Sequence, residues 1–145
     1  MGLEENKVLA RRFISEGWDK GNLGILDELL APTYVDHNPP PGLPADREGA
    51  KQGITLFRTA FPDLKNTIED LVAEGDKVVG RLISRGTHRG EFQGIPPTGK
   101  QVVVEGIFIG RVAGGKLVET WGQFDAIGLL QQLGAMPPAG EATGR

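Results

Sequence analysis

Three side chains in this sequence are candidate general acids and bases: His37, His88 and Asp125. Imidazole titrates near neutral pH, and a carboxylate does so when burial raises its pKa. Such groups can remove a proton from the carbon beside a carbonyl or return one to an oxygen. The sequence contains no cysteine, which excludes a thiol nucleophile, disulfide bonds and thiolate metal sites.

Each candidate also has a structural interpretation. Asp125 precedes a short apolar helix, where aspartate is a preferred N-cap. His88 ends a strand and could bond backbone groups of the glycine-rich loop that follows, and the pair Asp36–His37 lies in a proline-rich segment where turn chemistry is common. With only two histidines, far apart in the chain, we predict no metal site and no cofactor. The sequence alone leaves these interpretations open.

The elements that would position these groups fall into two blocks. Apolar residues at helical spacing are followed by alternating segments joined through short turns, and helical spacing returns at the end. The predicted helices are 3–17, 22–30 (with Asn22 as N-cap), 46–61 and 126–133; 32–46 is predicted to be a loop; the predicted strands are 65–74, 76–88, 101–112 and 116–125. This order predicts an α+β fold in which helices cover a curved, mainly antiparallel sheet and enclose a small-molecule cavity.

The faces of the strands indicate what lines that cavity. In 76–88 the small and apolar positions predict the inner face, and the arginine-bearing positions the outer face. A two-residue turn at Gly114-Gly115 would pair Phe108 with Trp121, whereas a three-residue turn or a bulge would place it opposite Gly122. Glycines within the strands indicate either sheet curvature or room for a ligand. The predicted apolar wall consists of Trp18, Phe61, Phe108, Trp121 and Phe124.

Length and charge limit the classes of partner. The 145 residues suit one domain, predicted as 1–136 with a flexible tail at 137–145. A net charge of −3 gives no basic footprint for nucleic acid or an anionic membrane. No apolar run reaches membrane-spanning length, so we expect a cytoplasmic protein. In one register of the last hairpin, apolar residues such as Ile107 and Ile109 lie on the outer face, which predicts a homo-oligomer, a dimer or tetramer.

Several segments carry a family resemblance. The heptapeptide Gly-Ile-Pro-Pro-Thr-Gly-Lys at 94–100 is the most specific, and further matching segments are 34–39, 60–64, 74–79, 85–92 and 115–121. In these segments the chain resembles the SnoaL-like polyketide cyclases, also called ester cyclases, of the nuclear-transport-factor-2-like (NTF2-like) superfamily. The resemblance implies a cone-shaped α+β barrel and cofactor-free aldol closure of a polyketide ester by an aspartate in an apolar pocket.

The resemblance also implies three departures from that site. The family's catalytic aspartate falls on Gly122, its pocket histidine near Phe108, and a further polar position on Gly106. We therefore predict an enzyme that cyclises or isomerises a hydrophobic polyketide- or terpenoid-like carbonyl compound, with Asp125, His88 and His37 as candidates. The alternatives are a non-catalytic small-molecule-binding module and a hydroxylase-type relative.

Overall fold

A curved five-stranded sheet carries the fold, in the strand order β1–β5–β4–β3–β2. The computed structural model describes residues 2–137, so most of the predicted tail lies outside the described residues. The strands are β1 (Leu30–Asp36), β2 (Lys65–Glu74), β3 (Lys77–Thr87), β4 (Gln101–Ala113) and β5 (Lys116–Phe124). The helices are α1 (Leu3–Arg12), α2 (Ile25–Leu29), α3 (Arg47–Ala60) and α4 (Ala126–Gln132), with a π-helical segment at Phe13–Asp19. Within 2–137, no helix is both long and apolar enough to cross a membrane.

The predicted helices are present, with shifted boundaries at the first two. The first ends as an α-helix at Arg12 and continues as the π-helical segment to Asp19. The second starts after Gly24, which makes no side-chain cap, so the prediction of Asn22 as its N-cap was wrong. The third begins as predicted, because the Asp46 carboxylate accepts the Gly49 N–H at 2.9 Å.

Most of β1, a strand that the sequence did not predict, lies in the segment 32–46 that was predicted to be a loop, and its first residue, Leu30, lies in the predicted helix 22–30. It pairs in parallel with β5, with Asp36 opposite Thr120 and a register irregularity between Leu30 and Val35. An edge strand tolerates a proline such as Pro32, because one side of its backbone needs no hydrogen-bonding partner. The prolines concealed this strand in the sequence, since they are also typical of loops.

A bulge sets the register of the last hairpin. The turn residues Gly114 and Gly115 both have positive φ, 59° and 75°. Val112 pairs with Leu117, but Arg111 pairs with Glu119, so the extra residue in β5 shifts every later pair. Phe108 consequently lies opposite Gly122, which is the second of the two predicted registers.

The inner face of the sheet and the helices share two apolar clusters. One surrounds Leu26, Leu30 and Leu117, and the other surrounds Phe61, Phe92 and Leu133. Each such buried side chain contributes about 1.5–3 kcal/mol to folding relative to exposure. The alternation predicted for β3 is confirmed, because Val78 is fully buried and Leu82, Ser84 and Gly86 face the interior.

Candidate active site

Members of both clusters line a cavity of about 260 Å³ between the sheet and the helices. Its walls are predominantly apolar, as is typical of small-molecule sites. All five aromatic residues predicted to form the wall border this cavity, namely Trp18, Phe61, Phe108, Trp121 and Phe124, but the ring of Trp121 stacks on His37 at the outer face of the sheet. Their contact with a substrate stays a prediction.

The glycines of the inner face have two different roles. A Cβ on Gly80 would collide with the Phe108 ring, one on Gly110 would lie 2.7 Å from Leu117, and one on Gly86 would lie 3.0 Å from Phe61. These glycines therefore provide space for neighbouring side chains. A Cβ on Gly122 would have nothing within 4 Å. Gly122 borders the cavity, so this position is open.

Asp36 places a carboxylate at the cavity. It lies opposite Thr120 in the register and two residues after the buried Tyr34, so its side chain shares their inner face. Burial raises the pKa of the Asp36 carboxyl, partly offset by the Asn38 N–H, which donates to Oδ1 at 2.8 Å, and by nearby His37. Among the described lining residues it is the single carboxylate.

Two hydroxyl groups lie beside Asp36 on the same face. The Tyr34 hydroxyl and Thr120 Oγ1 are 2.6 Å apart, and both side chains are buried. Burial raises the pKa of the Tyr34 phenol, which keeps it protonated in neutral solution, while its bond to Thr120 acts in the opposite direction. If Tyr34 donates to Thr120, the Thr120 hydroxyl can donate to an oxygen in the cavity.

The segment after β1 covers this end of the cavity. The His37 N–H donates to the Thr120 carbonyl at 2.9 Å, and the Gly122 N–H donates to Asn38 Oδ1 at 3.0 Å. Asn38 thus continues the pairing of β5 with a side chain after β1 has ended. Asn38 and Pro40 both border the cavity, so the anchored segment forms part of its rim.

His37, one of the predicted catalytic residues, lies on the other side of the sheet. Its ring stacks on Trp121 at a centroid distance of 4.6 Å and an interplanar angle of 3°, and its Nε2 is 2.7 Å from Glu119 Oε1. Arg111 forms an ion pair with the other oxygen of Glu119. These contacts with His37 and Arg111 hold the pKa of the Glu119 carboxyl below its usual value.

The other two predicted catalytic residues also lie outside the cavity lining of the described chain. Asp125 is exposed and caps α4, where its Oδ1 accepts the Gly128 N–H at 2.8 Å. His88 is completely buried beneath the 94–100 loop, and its Nδ1 accepts the Thr98 N–H at 3.2 Å. Both have the structural roles that the sequence offered as alternatives.

Sequence reasoning considered Asp36 only as a partner of His37. The available signal was the alternation Tyr34-x-Asp36 between a buried apolar segment and the prolines. Within residues 2–137, no group of three or more histidines and carboxylates is arranged to hold a metal ion.

Comparisons with known proteins agree with this architecture. The family profile for the SnoaL-like polyketide cyclases matches residues 8–133. The aklanonic acid methyl ester cyclase DauD of Streptomyces sp. (strain C5) is 31% identical over 119 residues, which cover 81% of this chain and 71% of that protein.

Two solved structures are also similar over most of their length. TsrD from Streptomyces laurentii has a TM-score of 0.85 at 32% identity and covers 94% of this chain and 99% of its own. AclR from Streptomyces galilaeus, for which a hydroxylase activity has been suggested, has a TM-score of 0.83 at 27% identity and covers 98% of this chain and 88% of its own.

Proposed function

The chain belongs to the SnoaL-like polyketide cyclase family, and from that premise we propose that it closes or isomerises a hydrophobic polyketide-type carbonyl compound by acid–base chemistry without a cofactor. The observation that carries this proposal is the Asp36 carboxylate, which borders an apolar cavity and has a pKa raised by burial. A raised pKa makes the carboxylate a stronger base, and its conjugate acid persists to higher pH than that of an ordinary aspartate.

In the proposed reaction, Asp36 removes a proton from a carbon beside a carbonyl of the substrate. The electron pair of that C–H bond becomes an enolate, which attacks a second carbonyl carbon of the same molecule. A C–C bond forms, and the second carbonyl oxygen becomes an alkoxide that takes the proton back from Asp36. The product is an isomer of the substrate, so no oxidant or reductant is consumed.

Neighbouring groups support this chemistry. With Tyr34 donating to Thr120, the Thr120 hydroxyl can donate a hydrogen bond to the oxygen on which negative charge develops. The aromatic wall excludes water and holds the flexible substrate in a folded conformation, which favours intramolecular attack. Asp36 is thus proposed in place of the sequence-based candidates Asp125 and His88, which have structural roles.

Aklanonic acid methyl ester, named as the substrate of the Streptomyces relative, is a suitable first test compound. We expect the chain to convert it to a product of unchanged mass in which a new C–C bond and a hydroxyl group replace one carbonyl. The Asp125→Asn variant serves as a control and retains this activity, because Asp125 caps α4 away from the cavity. Loss of turnover in Asp125→Asn with intact folding would contradict the assignment.

A second candidate function follows from Gly122. The resemblance places the family's catalytic aspartate there, and the position is open. A chain without that acid could hydroxylate its ligand, the activity suggested for AclR, or bind it unchanged. A product heavier by one oxygen, formed only with O₂ and a reductant, would support hydroxylation. Binding without any product would support the binding module.

We also propose that the outer face of the sheet joins copies of this chain. Val72, Val103 and Ile107 lie on that face and are 58%, 50% and 53% exposed. Light scattering is expected to give a multiple of the 15.5 kDa chain mass. A monomer at micromolar concentration would contradict this.

A further inference from the structure

A second cluster of polar side chains, Ser84, Asn66 and Asp19, lies at the cavity wall that β2 and β3 form. Ser84 Oγ is 2.5 Å from Asn66 Oδ1, and Asn66 Nδ2 is 2.7 Å from Asp19 Oδ1. The same Asp19 oxygen accepts the Asn66 backbone N–H at 3.0 Å. Ser84 and Asn66 border the cavity, and Asp19 lies behind them at the end of the π-helical segment.

The direction of these hydrogen bonds is fixed by chemistry. An ionised carboxylate only accepts, so the Asn66 amide must turn its NH₂ group towards Asp19. The amide oxygen then faces Ser84, and the Ser84 hydroxyl must donate to it. What Ser84 can still offer the cavity is the lone pairs of its oxygen, which accept a hydrogen bond and donate none.

Contacts on the side of Asp19 away from the cavity fix this hydrogen-bonded arrangement. The Asp19 side chain is only 8% exposed, and its Oδ2 is 3.9 Å from the exposed Lys65 ammonium. Arg58 bonds the Asp19 carbonyl at 2.6 Å and the Trp18 carbonyl at 3.0 Å, which fixes the backbone that carries the carboxylate. The acceptor character of Ser84 is therefore built into the protein.

The Ser84 group is separated from the Asp36 group along the sheet. On β4, Gly110 lies opposite Thr120 and Val104 lies opposite Ser84. These two β4 positions are six residues apart, so the two polar groups occupy different parts of the cavity. An elongated ligand with a polar function at each end would match them.

We infer that Ser84 is a specificity-determining residue that selects ligands carrying a free hydroxyl at the end remote from Asp36. A hydroxyl donates to Ser84, whereas a methyl ether or a carbonyl brings a second acceptor against it and leaves both oxygens without a proton to share. This inference deepens the proposed function and rests on its premise that the substrate occupies the cavity.

Binding of three probes tests the inference without requiring turnover: 2-hydroxyanthraquinone, 2-methoxyanthraquinone and anthraquinone. Trp18 borders the cavity and packs against the apolar core, so quenching of its fluorescence reports occupancy, whereas the Trp121 ring stacks on His37 at the outer face of the sheet. The wild-type chain is expected to bind the hydroxy compound about three- to tenfold more tightly than either other probe, the range of one net hydrogen bond.

Two matched variants identify the source of the preference. Ser84→Ala removes the acceptor and is expected to bring the three affinities within about twofold of one another. Ser84→Thr keeps the hydroxyl and is expected to retain the preference. Unfolding midpoints of both variants verify that the fold is intact.

Each outcome decides the inference. An undiminished hydroxyl preference in Ser84→Ala would overturn it and leave the proposed role of Asp36 untouched. Equal affinities in the wild type would overturn it in the same way. Failure of the wild type to bind any probe would contradict the proposed site as well, whereas turnover without hydroxyl preference would remove only the role of Ser84.

Discussion

Asp36 on β1 and Glu119 on β5 lie one residue apart in the register of the same strand pair, but on opposite faces of the sheet. On the inner face, burial raises the pKa of Asp36. On the outer face, His37 and Arg111 lower the pKa of Glu119. The two carboxylates therefore differ in proton affinity although their backbones are neighbours.

The difference shows why Asp36 is suited to acid–base chemistry and Glu119 is not. A carboxylate paired with a cation and a histidine is already stabilised as the anion, so it is a weak base. A carboxylate beside an apolar cavity lacks that stabilisation. The alternation of side chains along β1 and β5 places Asp36 on the inner face and Glu119 on the outer face. A shift of the strand register by one residue would exchange these two faces.

The largest expected effect is on turnover. Asp36→Asn keeps the shape of the side chain but removes its basicity, so kcat/KM is expected to fall by about 10²–10⁴-fold. The matched outer-face variant, Glu119→Gln, is expected to stay within roughly threefold of wild type, as for a group with no part in proton transfer. Steady-state kinetics with aklanonic acid methyl ester as substrate measure kcat/KM for both variants. Equal losses of kcat/KM in the two variants would contradict the proposal that only the inner-face carboxylate takes part in proton transfer.

The next effect concerns how the inner face is filled. Gly80→Ala would drive a methyl group into the Phe108 ring and is expected to destabilise the fold by about 1–3 kcal/mol. Gly122→Ala enters open space and is expected to change stability by less than about 0.5 kcal/mol. Urea unfolding compares them. Equal destabilisation would show that position 122 is packed like the rest of that face.

The smallest expected effect is on stability: at neutral pH, Asp36→Asn and Glu119→Gln should change the free energy of unfolding in opposite directions. Asp36 has a raised pKa in the fold, so its ionisation costs stability as pH rises from its ordinary value of 3.8 towards the raised value. Asp36→Asn should therefore be more stable than wild type at neutral pH. Glu119 has a lowered pKa, so its contribution is present above its ordinary value of 4.5 and is lost as pH falls through the folded-state pKa.

Glu119→Gln should accordingly be less stable than wild type at neutral pH, and both differences should shrink in acid. Thermal unfolding of the three proteins between pH 3 and pH 7 follows the curves. Differences of the same sign at neutral pH would contradict the environments described for the two carboxylates.

The sequence predicted the fold class and most of the inner face correctly. The alternation through Val78, Leu82 and Ser84 separated the two sides of β3, because a half-buried strand repeats every two residues. The spacing of Ile54 and Phe57 likewise predicted α3. Both signals are local, so they can be read without knowledge of the partner strand.

What the sequence did not reveal depends on distant contacts. Asp36 joins the cavity because β1 pairs with β5, more than eighty residues later, and the short edge strand next to prolines has no clear pattern of its own. The sequence was compatible with two registers of the last hairpin. The bulge near Arg111 selects the one that places Phe108 opposite Gly122. Asp125 illustrates the remaining ambiguity, since a helix cap and a catalytic acid have the same local sequence.

The most direct test of the acid–base role proposed for Asp36 is a titration of the Asp36 and Glu119 side-chain carboxyl carbons by ¹³C NMR. The variants Asp36→Asn and Glu119→Gln assign the two signals. We expect the Asp36 carboxyl to titrate above its ordinary pKa of 3.8 and the Glu119 carboxyl below its ordinary pKa of 4.5. An Asp36 carboxyl that titrates at or below the Glu119 carboxyl would contradict the assignment of the acid–base role to the inner face.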